Sequence, residues 1–229
     1  MEPRAIAEIV GPGLVFALAC LAPILALPIL ILISGRFGAD IAAPVTQIVE
    51  WASDWAERLA QMCIALLAVL VGLVVVLRYG FGVSSNALQE STLYAHALAF
   101  LLAAAAALGR DGHVRVDVFY ARLAPKRKAA IDLFAYCVFA APMLVAILHF
   151  SGPFVERSWR IGERSAEADG LAGLFVLKTA IPVFAVLLLA QALAEACRNA
   201  CVLRAVTPAP RRFPRDEPRD EPRDEAHPG

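Results

Sequence analysis

Few side chains in this sequence are of types that do chemistry, and they lie far apart. His96 and His149 fall in two separate apolar runs, and two facing histidines in a membrane bundle can ligate haem iron. Intramembrane histidines more often find a hydrogen-bond partner without a metal, so a haem-holding redox subunit is the rival reading here. Lys178 is the one full charge well inside an apolar run. Such a cation either reaches outward along its stem or pairs with an acid, and Glu90, at the start of another run, is the candidate acid. Glu90 and Lys178 are thus the intramembrane polar residues to follow, with ion or substrate contact as their sharper role. Cys20, Cys63 and Cys137 lie in apolar runs, and Cys197 and Cys201 have no histidine in zinc spacing. The sequence holds no Walker loop, Gly-x-Gly-x-x-Gly, His-Glu-x-x-His or Gly-x-Ser-x-Gly motif. It therefore reads as a non-enzyme, with no catalytic residue, metal or cofactor to assign.

The elements that carry these residues follow from composition. Of 229 residues, 59% are hydrophobic and 18% charged, and mean hydropathy is +0.65. Soluble domains sit near ~45–50% apolar and ~25% charged, so a soluble enzyme is excluded. The formal net charge is zero, which leaves no basic field for nucleic acid. A hydrocarbon core of ~30 Å takes about 20 apolar residues in a helix. Five runs qualify: 14–33, 59–77, 91–108, 131–150 and 171–194. Each must be helical, since lipid offers no partner to backbone N–H and C=O groups. The sequence thus predicts an all-α integral membrane bundle.

The first run, in a segment 1–40, reads as a retained extra helix. It is longer than a secretory core of ~7–15 residues, and Ser34-Gly35-Arg36 is no cleavage site. Within the main unit, 41–204, a short amphipathic helix is expected over 41–58. Ile41, Val45, Ile48, Ala52, Trp55 and Leu59 form its apolar face and Gln47, Glu50, Asp54, Glu57 and Arg58 its polar face, with Trp51 and Trp55 at headgroup depth. A second short helix is expected around 116–123. Five alanines at 103–107 mark a close-packing face. The segment 205–229 contains Pro-Arg-Asp-Glu three times, has nothing to bury, and reads as a disordered tail.

Basic residues set the orientation. Arg110, Arg115, Arg122, Lys126, Arg127 and Lys128 crowd one connection, and Arg198, Arg204, Arg211 and Arg212 the C-terminal end. The other connections hold Arg78 alone, or Arg157, Arg160 and Arg164 offset by acids. The first two belong in the cytoplasm, with the C-terminus inside. On the cytoplasmic side the bases suit anionic lipid at ~1 kcal/mol each. On the outer side the plain expectation is a solvated loop with a Glu156–Arg160 pair.

Several local runs occur together in a fixed order. They are Arg78-Tyr79-Gly80-Phe81, Ser84-Ser85-Asn86-Ala87 with Glu90, and Arg110-Asp111-Gly112-His113-Val114-Arg115-Val116-Asp117-Val118. Further on come Ser158-Trp159-Arg160, Gly162-Glu163, Ser165, Lys178, Ile181-Pro182, Gln191 and Glu195. Across about residues 43–200 the chain resembles the small membrane subunit of tripartite ATP-independent periplasmic (TRAP) transporters, the DctQ-like family. It departs from the family in having Ala87-Leu88 where a tryptophan often precedes the acid. The first helix and the repeat tail are additions to the usual four spans.

The resemblance implies a non-catalytic scaffold in the bacterial inner membrane. Its partners would be a large membrane subunit holding the substrate and sodium sites, a periplasmic solute-binding protein, and membrane lipids. The cargo would be organic acids such as dicarboxylates or α-keto acids. On this view Arg110, His113, Arg115 and Asp117 clasp the large subunit, because lipid attraction alone would not specify His and Asp among the bases. Arg157, Trp159, Arg160 and Glu163 would help dock the binding protein through complementary charge.

Overall fold

The computed structural model describes residues 25–110, 122–167 and 169–210, together with 19, 21, 22 and 120. The chain is all-α: among the described residues the one β pairing is a single bridge between Arg164 and Ala172. Helix α1 (Leu25–Ser34) is short and apolar. It ends at Gly35, whose φ of +60° turns the chain back into α2. Gly38 follows because the two backbones touch there: a Cβ on it would stand 2.8 Å from Ile31 Cα.

Helix α2 (Arg36–Gly80) runs unbroken for 45 residues, about 67 Å, more than twice the ~30 Å hydrocarbon core. The expected boundary between an interfacial helix 41–58 and a span beginning at 59 is absent. Residues 56–62 are Ala, Glu, Arg, Leu, Ala, Gln and Met, all good helix formers. A change of polarity along the axis therefore does not interrupt the backbone ladder, and an Arg58–Asp54 ion pair of 2.9 Å spans the last turn before the change. The buried face runs Gly38, Ala42, Thr46, Glu50, Ser53, Ala56, Ala60. The opposite face keeps Ile41, Ile48, Trp51, Trp55 and Leu59 exposed. Trp51 and Trp55 meet edge to face at 6.1 Å, with the Arg58 guanidinium 5.3 Å from the Trp55 ring. Exposed Trp55 and Tyr79 lie about 36 Å apart along the axis, which suits a ~30 Å core crossed at a tilt.

Helix α3 (Asn86–Gly109) starts on a Ser85 cap whose hydroxyl accepts from Leu88 N–H at 3.5 Å. Its buried residues, Ala95, Ala99, Ala105, Ala106 and Gly109, are all small. They let it lie close between α2 and the last helix. Helix α4 (Pro125–Ala135) opens on a proline, whose missing N–H is harmless at a helix start. A π turn, Tyr136–Ala140, then leads into α5 (Ala141–Ile161). Pro142 accounts for the turn. It has no N–H for the Val138 carbonyl, and its ring would press on that oxygen. Widening the ladder, with Ala141 N–H bonded to Tyr136 O, carries the helix past it.

Helix α6 (Leu174–Leu203) is the central strut. It packs on α2, α3, α4 and α5, and every residue from 191 to 201 is buried. Around it the core gathers Ile31, Ala42, Ala141, Leu144, Val145, Leu189, Leu193 and Cys197. Four helical stretches are long and apolar enough to cross a membrane: α2, α3, the joined α4–α5 and α6. Most of each expected span from 59–77 onward falls in one of them, although α6 begins three residues after the expected start at 171. The expected first span is described chiefly as α1. The short helix expected around 116–123 lies mostly outside the described residues, as do His113, Arg115, Asp117 and the repeat 214–225.

Candidate functional site

The polar side chains gather at the two ends of the bundle. At one end α5 stops at Gly162, whose φ of +57° lies in the left-handed region that closes helices. The turn returns Glu163 onto the helix it has just left: its N–H bonds Ser158 O at 3.0 Å. Its carboxylate accepts from Ser158 Oγ at 2.6 Å and from Lys178 Nζ at 2.5 Å. The ammonium also stands 4.2 Å from the centre of the Phe154 ring. The Lys178 hydrogen bond, and after it that from Ser158, hold the Glu163 carboxyl below the usual carboxylate range.

Lys178 is therefore paired, but its partner is Glu163 and not the expected Glu90. Glu90 serves the same loop from α3. It accepts from Leu171 N–H at 2.7 Å and from the Ser165 hydroxyl. Ser165 N–H in turn bonds Leu171 O at 3.1 Å, next to the Arg164–Ala172 bridge. Gly170 is required inside this loop, since a Cβ there would collide with the Ser165 side chain. Residues 162–167 and 169–173 are thus fastened to α3 by Glu90 and to α6 through Glu163 and Lys178.

Arg157, Trp159 and Arg160 do not belong to the loop but to the last turns of α5. Trp159 Nε1 donates to Thr179 Oγ1 at 2.8 Å, and its ring meets Phe175 at 4.6 Å, so it ties α5 to α6. Arg160 pairs with Glu156 at 2.6 Å, as the i, i+4 spacing predicts. Arg157 is exposed.

The other end is richer than the sequence reading anticipated. Arg198 Nη1 lies 2.5 Å from Glu50 Oε1 and 3.1 Å from Glu195 Oε1, and the two carboxylate side chains are each 1% exposed. One turn along, Ser53 Oγ donates to Gln191 Oε1 at 2.9 Å. A further turn along α2, Glu57 accepts both Nη groups of Arg110, which ends α3. The placing of Glu50 on a solvated face is overturned: it is buried against α6. Hydropathy alone misassigns such a face, because a polar stripe can be buried when a second helix brings the complementary one. The signal was available in the spacing, with Glu50, Ser53 and Glu57 at i, i+3, i+7 and Gln191, Glu195 and Arg198 at i, i+4, i+7. Arg204 Nη2 adds a 3.4 Å contact to Ile33 O, tying α1 to the end of α6.

The histidines are not brought together. His96 is exposed on α3, His149 meets Phe150 at 5.2 Å on α5, and α3 and α5 form no extended contact. Among the described residues no group of three or more His, Cys, Asp or Glu is placed to hold a metal ion.

Residues 67–202 match the sequence profile of a family described as tripartite ATP-independent periplasmic transporters, DctQ component. The match runs from the last third of α2 almost to the end of α6. The chain belongs to the DctQ family. It is accordingly a small membrane component of a TRAP transporter, a multi-pass protein of the bacterial inner membrane, and not an enzyme. No curated protein and no solved structure matches it. The DctQ match leaves out α1 and about the first two thirds of α2, yet Glu50–Arg198, Ser53–Gln191 and Arg204–Ile33 fasten both to the matched helices.

Proposed function

We propose that this DctQ component is a stationary scaffold for a large membrane subunit, in a sodium-coupled importer of organic acids delivered by a periplasmic binding protein. The observation that carries the reading is where the polar side chains go. Glu163–Lys178, Glu90 with its loop, Arg110–Glu57 and the Glu50–Arg198–Glu195 cluster all hold helix to helix or loop to helix. Each of these joins parts of this chain to one another, as a rigid support requires. The distribution of Lys and Arg supports loop 162–173 on the periplasmic face and the C-terminus in the cytoplasm.

Two partner surfaces follow. On the periplasmic face exposed Arg157, with Arg160 beside its Glu156 partner, would steer a binding protein, while Trp159 and Glu163 shape the ground beneath them. On the cytoplasmic face Arg110 is engaged within the chain, so contact with the large subunit falls chiefly to His113, Arg115 and Asp117. Uptake by proteoliposomes under a sodium gradient, over a panel of dicarboxylates and α-keto acids, tests the whole reading. Uptake is expected only when this chain, the large subunit and the binding protein are all present. Solute movement by this chain alone would overturn the scaffold. Charge reversal at Arg157 and Arg160 is expected to slow uptake at low salt and to matter less at high salt. Unchanged uptake at normal expression would remove the docking role.

A further inference from the structure

The start of α4 carries a concentration of charge for which no ion pair is found among the described residues. Arg122, Lys126 and Arg127 are exposed, and Lys128 lies half-buried with its ammonium 5.2 Å from the Tyr120 ring centre. None of the four makes an ion pair within the described residues, and the first turn of α4 contains no acid. Cations at the positive end of a helix are unfavourable by themselves. The arrangement lowers its energy when an anion is brought to it.

The neighbouring surface says which anion. Arg127, Ile131, Phe134 and Val138 follow one another at spacings of four, three and four residues, and so share one face of the α4–π–α5 helix. Ile131, Phe134 and Val138 are exposed on that face. The surface thus passes from guanidinium to continuous apolar side chains within about 6 Å along the axis. A soluble anion would have no use for that apolar continuation, but a phospholipid has a phosphate above acyl chains in the same order. We propose that Arg122, Lys126, Arg127 and Lys128 form a headgroup clamp that selects anionic phospholipids, with the acyl chains lying along Ile131, Phe134 and Val138. The clamp is independent of the transport reading and of which leaflet it faces.

The full-length chain in nanodiscs of mixed phosphatidylglycerol and phosphatidylcholine gives the test, by native mass spectrometry of the lipids that stay bound. Phosphatidylglycerol should be enriched, and Lys126→Gln and Arg127→Gln should each reduce the enrichment about fivefold, the factor for one near-surface cation. Arg127→Lys should keep it, and Arg160→Gln, at a paired cation on the opposite end of the bundle, should leave it unchanged. Gel filtration and helical circular dichroism should show each variant folded, as substitutions on an exposed face allow. Equal retention of the two lipids by the wild type would overturn the proposal, as would undiminished enrichment in a Lys126→Gln/Arg127→Gln double variant. Displacement by inorganic phosphate would overturn the lipid assignment. Loss of enrichment when the large subunit is co-purified would make the patch a protein contact instead.

Discussion

The loop end and the polar seam of α2 and α6 solve the same problem with different materials. At the loop end, Glu163 and Lys178 are partly exposed, and their bond fastens a short loop to the helices on either side of it. At the seam, Glu50, Glu195 and Arg198 are withdrawn from water almost completely and join helices far apart in sequence. A partly exposed pair is weakened by solvent and its loss stays local. A buried cluster gains little over an apolar core, but losing one member strands the others. The seam is therefore where the fold can be broken by a single atom, and the loop end is where it can be adjusted.

The largest effect is expected at Arg198. Arg198→Met leaves Glu50 and Glu195 buried without their cation and should lower stability by about 3–5 kcal/mol, measured by denaturant or thermal unfolding in detergent. Replacing Glu50, Arg198 and Glu195 together by apolar residues should recover most of that loss. If the triple variant is no better than the single one, the cluster contributes attraction well beyond mutual neutralisation. Next comes Ser53→Ala, which takes the donor from buried Gln191 Oε1 and should cost about 1–3 kcal/mol in the same assay.

The loop end should respond to pH instead. A carboxyl held below its usual range stabilises the folded state while it is ionised. As pH falls, the unfolded chain takes up the proton first, so the contribution shrinks and is gone below the folded-state value. The stability difference between wild type and Glu163→Gln should therefore be full at neutral pH. It should fade as pH drops through the carboxylate range, and Lys178→Met should flatten that dependence. The smallest effect is expected at Arg160→Ala, at most about 0.5 kcal/mol, because the Glu156 pair is exposed. A larger loss would mean that the outer ion pairs are better ordered than their exposure implies.

Much of the architecture was legible because lipid leaves the chain few options. Uncharged runs of span length must be helices, and four long apolar helical stretches contain most of the expected spans. The Glu156–Arg160 pair was readable because it depends only on helical spacing. What escaped depends on distant segments meeting. Lys178 finds Glu163 because a left-handed glycine folds the loop back, a geometry that separation along the chain does not reveal. Glu50 looked solvated because its complement, Arg198, stands 148 positions later. The supposed boundary at residue 58 was a change in polarity, and backbone hydrogen bonds do not register polarity. The clasp residues His113, Arg115 and Asp117 lie outside the described residues.

The unbroken course of α2 has one more consequence. Because no joint separates its two halves, its length is fixed to the residue. One amino acid added between Ala60 and Leu66 would rotate everything before it by about 100°, turning Glu50 off Arg198 and swinging Trp51 and Trp55 away from their outward face. Seven added residues, close to two full turns, would restore the facing but slide the half-helix about 10 Å along its axis, out of reach of the same arginine. Along this rod a substitution acts only where its side chain sits, whereas an insertion or deletion displaces every contact of one half at once.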